Sequence, residues 1–234
     1  MEIYGVIPLY FENENSDYPI TSLGSCFLIN YRSQIWGVTA KHIFTSNGYS
    51  PSDAMIPYRL GEMDFIPILK PIEFEDSEDM GLWLTDYIVF VVDMDELDRQ
   101  KIMIDFIYDI DAEIFDGVLD EENVLIYGFP DDLNGLDFEE GLIYQQAIAI
   151  FANKPIPSEI LQGCMSVTLM SMGEIEEHRG FSGSPIFLVV NEGGNLRLAH
   201  LLGVVLAGAG LVKNYIPICF IKALIDHYLD EVST

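Results

Sequence analysis

Apolar positions in this chain come in short runs broken by polar, Gly- and Pro-bearing turns, a pattern that predicts strands more often than helices. Residues 4–10 are apolar and rich in strand formers, and residues 12–17 read as a polar loop. Residues 26–29 and 35–38 are apolar runs joined by residues 30–34, which predicts a hairpin. Residues 38–44 start as an apolar strand end and run into a helical turn, with His42 at the junction. Residues 50–81 mix proline, methionine and acids around a short strand at 65–69, and residues 73–79 read as a charged, solvated loop. Residues 82–92 are nearly all apolar, and Asp86 is the only charge among them. A carboxylate flanked by buried strand residues must be paired or hydrogen-bonded. A strand-start cap facing water is the alternative.

The second half repeats this character. Residues 93–100 predict a helix, residues 101–114 a linker strand and residues 116–123 an acidic turn. Strands are predicted at 124–127, 141–151, 165–170, 186–190, 196–198 and 202–206, with Glu192-Gly193-Gly194-Asn195 as a hairpin turn. In residues 220–232, Ile221, Leu224, Ile225, Tyr228 and Leu229 fall on one helical face. Many short strands closed by one helix predict an all-β protein of two packed antiparallel barrels. The expected division is an N-terminal lobe, residues 1–110, and a C-terminal lobe with the helix, residues 111–234.

Composition narrows the function classes. The 234 residues suffice for a buried core, and half of them are apolar, which excludes a disordered chain. A net charge of −27 repels phosphate backbones and anionic bilayers, so neither nucleic acid nor membrane is an expected partner. The charge fits simple solubility, and also a cationic peptide ligand. Cys26, Cys164 and Cys219 are odd in number, far apart and outside any C-x-x-C pair, which argues against a disulfide scaffold and a zinc site. The acidic stretches lack the Gly and downstream Glu of a calcium loop, so no metal or other cofactor is assigned. The first residues lack a basic region and an apolar core, so no secretory signal is expected. No apolar run reaches the ~18 residues of a membrane span, and a reducing, cytoplasmic location is the expectation.

The sharpest feature is Gly180-Phe181-Ser182-Gly183-Ser184-Pro185, a G-x-S-G-x-P run on a turn that enters an apolar strand. Its glycines let backbone N–H groups before and at a serine point to one side, as an oxyanion requires. Alone, the run also reads as an ordinary Ser/Gly/Pro turn. His42, Asp86 and Ser182, however, each lie at a strand boundary, and they follow one another in the order His, Asp, Ser.

Three further segments accompany the serine turn. They are Gly24-Ser25-Cys26-Phe27-Leu28-Ile29 with Val38-Thr39-Ala40-Lys41-His42, then Thr85-Asp86-Tyr87-Ile88-Val89, then Tyr215-Ile216-Pro217-Ile218 ahead of the helix. With these, nearly the whole chain resembles the trypsin-fold serine peptidases, and within them the HtrA/Deg-like, disulfide-free bacterial branch. The matching family patterns are G-S-G-F-x-I with V-T-A-x-H, T-D-x-A-V, G-x-S-G-x-P and A-I-P-x.

The resemblance implies a fold of two six-stranded antiparallel β-barrels with the site between them. It implies Ser182 as nucleophile, His42 as general base and acid, and Asp86 as the residue that orients the imidazole. The backbone N–H groups of Gly180 and Ser182 would form the oxyanion hole. Leu206, Ala207 and Gly208 would wall the primary specificity pocket, with Leu206 and Gly208 pairing to an extended substrate. Glu176 would lie at the pocket floor and favour Arg or Lys. His178, His200 and His227 carry no partner motif, and His178, on a polar loop near Ser182, reads as a surface histidine. Phe181 stands where secreted trypsins carry an acid that pairs with a freed N-terminus, so that activation route is not expected. Ser184 replaces the more usual second Gly, and no PDZ-like domain is expected.

The expected function is a cytoplasmic, trypsin-like serine endopeptidase that acts on protein or peptide substrates. A regulatory protein partner or an unformed oxyanion hole is expected to restrain it. The alternative is a protein-binding module that keeps the fold and holds a peptide without cleaving it.

Overall fold

Alternating and β-branched runs in both halves form two curled antiparallel sheets, and the helical face at the end of the chain forms one long helix; the structure is a computed structural model. It describes residues 5–12, 20–57, 64–72, 85–100, 107–111, 123–130, 133–170, 180–192, 195–208 and 210–232. The first half carries β1 (Val6–Glu12), β2 (Ile20–Tyr31), β3 (Gln34–Ala40), β4 (Ile56–Pro57), β5 (Phe65–Ile66), β6 (Leu69–Pro71), β7 (Tyr87–Val92) and β8 (Tyr108–Asp109). It also carries the short helices α1 (His42–Thr45) and α2 (Met94–Gln100). The second half carries β9 (Asn123–Gly128), β10 (Gly135–Asp137), β11 (Leu142–Tyr144), β12 (Ile148–Ala152), β13 (Ile156–Pro157) and β14 (Met165–Thr168). It continues with β15 (Pro185–Glu192), β16 (Asn195–Val205), β17 (Val212–Pro217) and the helix α3 (Ile218–Val232).

The first sheet runs β1-β2-β3-β7-β6, with β8 added parallel to β2. The second runs β12-β9-β15-β16-β17-β14-β13. Both are half-barrels, an architecture compatible with a trypsin-like fold. Among the described residues, six strands make up the first curled sheet and seven the second, against the two six-stranded barrels expected. In the second sheet the end of β12 also meets the end of β14: Ala152 bridges to Leu169, the Asn153 N–H donates to the Thr168 carbonyl at 2.9 Å, and the Met170 N–H donates to the Phe151 carbonyl at 2.8 Å.

The predicted hairpin is β2–β3, and it is tighter than expected. Tyr31 pairs with Gln34, so Arg32 and Ser33 turn alone, at φ of 56° and 61°. Two left-handed residues give the twist that suits a two-residue hairpin, though neither is glycine. Asp111 Oδ2 accepts from the Arg32 N–H at 2.8 Å and helps hold the turn.

Two other expectations change. Residues 141–151 form β11 and β12 in different sheets rather than one strand. The break falls at Gln145 and Gln146, whose amides bond elsewhere: the Gln145 side chain donates to Tyr10 Oη at 2.6 Å, and the Gln146 N–H donates to Asn134 Oδ1 at 3.0 Å. Conversely, the strands expected at 196–198 and 202–206 merge into one long strand, β16, which ends at Val205 and has two register shifts against β15.

α3 belongs to the second half in sequence but packs on the first sheet. Its Ile221 and Ile225 are fully buried, and Tyr228 meets the fully buried Trp36 edge-on. Tyr31 donates to Asp226 Oδ2 at 2.9 Å, and Lys222 donates to the Ile110 carbonyl at 2.6 Å. One apolar cluster therefore includes Trp36 and Phe90 from the first half with Leu125, Phe187 and Ile221 from the second. Among the described residues, no helix is long and apolar enough to cross a membrane.

Candidate active site

The end of β3 delivers His42 to the seam between the sheets, because α1 begins there and turns the chain out of the strand. Asp86 stands one residue ahead of β7, the strand paired with β3. The backbone joins the two positions: the Lys41 N–H donates to the Asp86 carbonyl at 3.1 Å. The carboxylate then takes two bonds from one residue. Its Oδ1 accepts from the His42 N–H at 2.9 Å, and its Oδ2 lies 2.9 Å from His42 Nδ1. The aspartate side chain is only 12% exposed, so the charge that the sequence left stranded in an apolar run is paired. With Nδ1–H turned to Asp86, the lone pair of His42 sits on Nε2.

That nitrogen lies 2.8 Å from Ser182 Oγ, across 140 residues of chain. The hydroxyl has a second acceptor within reach, the Leu206 carbonyl at 2.9 Å. A hydroxyl carries one proton, so the imidazole and the carbonyl compete for it.

The serine turn is pinned from below by Ser25. The Ser25 N–H donates to the Ser182 carbonyl at 3.0 Å, and the Ser25 hydroxyl donates to the Gly180 carbonyl at 3.0 Å. The same hydroxyl accepts from the Phe129 N–H at 3.1 Å, and the Ser25 carbonyl accepts from Thr39 Oγ1 at 2.6 Å. Gly183, at φ +83°, lies flat on this staple, and a Cβ there would collide with the Ser25 carbonyl and Thr39 Oγ1. Phe181 is buried in the apolar cluster of the second sheet, so the position before the serine serves packing. The N–H groups of Gly183 and Ser184 are taken by the carbonyls of Val205 and Phe181. Those of Gly180 and Ser182 have no acceptor among the described residues. A bound oxyanion would be their natural partner.

The remaining predicted residues divide. Leu206 is buried, and its N–H donates to the Asn214 carbonyl at 2.9 Å. Ala207 is half-buried and accepts from the Asn214 N–H at 2.7 Å. Gly208 is exposed, with no hydrogen bond among the described residues, so its backbone is open to an extended chain. Glu176 and His178 lie outside the described residues. His200 pairs in register with Leu188, and His227 lies 3.2 Å from Glu231 on the last turns of α3; neither joins the site.

Two residues gave signals in the sequence that the reading above does not use. Ser25 was quoted only as part of a pattern, although a hydroxyl between Gly24 and an apolar run already signals a buried polar role. Lys213 was overlooked, although it is a lone cation at the head of an apolar strand, the same signal that marked Asp86. It is 3% exposed, and burial pushes its ammonium down to about 8.

No family model matches the chain, and no curated protein matches it. Among solved structures it is similar to a chain described under the coupled folding and binding of the intrinsically disordered Sesbania mosaic virus VPg protein. That similarity has a TM-score of 0.47 and 10% identity over 93% of each chain, too low to bear on function.

Proposed function

We propose that the protein is a serine endopeptidase that cleaves peptide bonds through an acyl-enzyme. The observation that supports this is the pair of contacts around one imidazole, 2.9 Å to Asp86 and 2.8 Å to Ser182. In the proposed reaction Ser182 Oγ attacks the carbonyl carbon, and its proton passes to His42 Nε2. Charge develops on the substrate oxygen, where the N–H groups of Gly180 and Ser182 would receive it. The C–N bond then breaks, and Nε2 returns the proton to the leaving amine. Water repeats the sequence on the ester, with His42 again as base, and frees the acid and Ser182. Asp86 holds the tautomer and stabilises the imidazolium; it does not itself take the proton.

The finer assignment, to the HtrA/Deg-like branch in a reducing cytoplasm, rests on the four sequence segments. Restraint of the free enzyme has a structural candidate in the Leu206 carbonyl, which draws the Ser182 proton away from the base. The same competition favours a second reading, a peptide-binding module that does not cleave.

A fluorophosphonate probe tests the proposal. It should label the wild-type protein, and Ser182→Ala should abolish the label. Unchanged labelling of the variant overturns the assignment. The isolated chain should cleave casein slowly, and rapid cleavage contradicts the proposed restraint. Equal peptide affinity with no cleavage under any condition favours the binding module.

A further inference from the structure

We propose that Lys213 is the anion-binding group of the primary pocket, which selects Asp or Glu as the residue preceding the cleaved bond. This rests on the peptidase reading and deepens it.

Position is the first support. β17 lies between β14 and the segment that flanks the serine. Lys213 is registered opposite Val167 on one side. On the other side its neighbour Asn214 exchanges backbone bonds with Leu206 and Ala207, and Leu206 is the residue whose carbonyl accepts from Ser182. One strand spacing, about 4.8 Å, thus separates the lysine's strand from the nucleophile's own acceptor. Gly208 lies directly on it: a Cβ at Gly208 would stand 2.8 Å from Lys213 Cα and collide with the Val212 carbonyl.

Burial without a partner is the second support. Strand alternation puts Lys213 on the face of Tyr215, and Val167 and Tyr215 both belong to the apolar cluster inside the second sheet. Lys213 is the one charged residue among the described buried residues. Among the described residues its ammonium has neither hydrogen bond nor ion pair. A cation set in an apolar interior with no counter-charge among the described residues is expensive. A carboxylate arriving in the pocket would supply the missing partner through charge-assisted hydrogen bonds.

The net charge of −27 opposes acidic ligands at long range. That field is screened beyond about 8 Å at physiological ionic strength, whereas the pocket cation acts at contact. The preference is therefore opposite to the Arg or Lys preference that a pocket-floor Glu176 would impose.

The test measures binding, so that it does not depend on turnover. The full-length Ser182→Ala protein is titrated with tetrapeptide mixtures whose three leading positions are randomised and whose last residue is Glu, Asp, Gln, Leu or Lys. Glu or Asp should bind at least about 10-fold more tightly than Gln, the return expected of one charge-assisted hydrogen bond. Adding Lys213→Met should erase that discrimination, and Lys213→Arg should keep it. Equal binding across the five, the absence of any binding, or discrimination that survives Lys213→Met overturns the proposal. Failure of fluorophosphonate labelling with the Glu preference intact would overturn the peptidase reading and uphold this pocket.

Discussion

The two sheets contribute to the site in opposite ways. On the side of the first sheet the described polar groups around His42 are paired. Asp86 takes two bonds from His42, Thr39 donates to Ser25, and Ser25 bonds at its N–H, its carbonyl and its hydroxyl. On the side of the second sheet, groups are buried without partners. The Ser184 hydroxyl is fully buried and unsatisfied, and Lys213, a residue only 3% exposed, has no counter-charge among the described residues. The first region is built for position: the base is fixed before any ligand arrives. The second holds unmet polar capacity, the usual mark of a surface that completes itself with a ligand.

Four substitutions sharpen or break that contrast, from the largest expected effect down. Asp86→Asn keeps the shape of the oriented imidazole but offers it an amide. The rate of acylation should fall by roughly 10⁴-fold with little loss of stability. Measured kcat on any cleaved peptide, set beside the melting temperature, checks this. A small rate loss would show that the first region is scaffolding alone.

Ser25→Ala removes the hydroxyl and leaves the Gly180 carbonyl and the Phe129 N–H buried without partners. The expected loss is about 2–4 kcal/mol in urea unfolding, with weakened probe labelling of Ser182. A neutral result would mean that the serine turn holds itself.

Lys213→Met should stabilise the protein, the reverse of the usual effect of altering a buried residue. The folded-state value of about 8 lies below the ordinary 10.5, so the folded state binds fewer protons between these limits. Stability therefore rises with pH across that window, and the penalty is present in full below pH 8. It amounts to about 3 kcal/mol at neutral pH, from the drop of 10.5 to about 8. The gain in the variant should shrink as pH rises toward 10.5, which urea midpoints at several pH values will show. A pH-independent difference would refute an unpaired ammonium.

Ser184→Ala removes a hydroxyl that has no partner, and the expected gain is about 1 kcal/mol. A loss of stability would point to a bond that the hydroxyl makes with bound ligand or water.

Much of this was legible in the chain. The β2–β3 hairpin announced itself through two apolar runs around a polar turn, and α3 through its helical spacing. Asp86 was conspicuous because a lone carboxylate in an apolar run has to find a donor, and it found two on His42. Register shifts and strand breaks were not legible. The division of β11 from β12 depends on Gln145 reaching Tyr10, a contact 135 residues away.

Local pattern thus determined that this chain would be two β-rich halves with a terminal helix, and which three side chains could act together. Alternation and turn chemistry are properties of neighbours, so the sequence carries them by itself. Only the tertiary structure decided that the sheets curl into half-barrels, that Ser25 staples the serine turn, and that Lys213 is buried on the strand next to Leu206 with no counter-charge among the described residues. Those facts depend on which distant atoms share a low-dielectric interior, and spacing along the chain does not encode that.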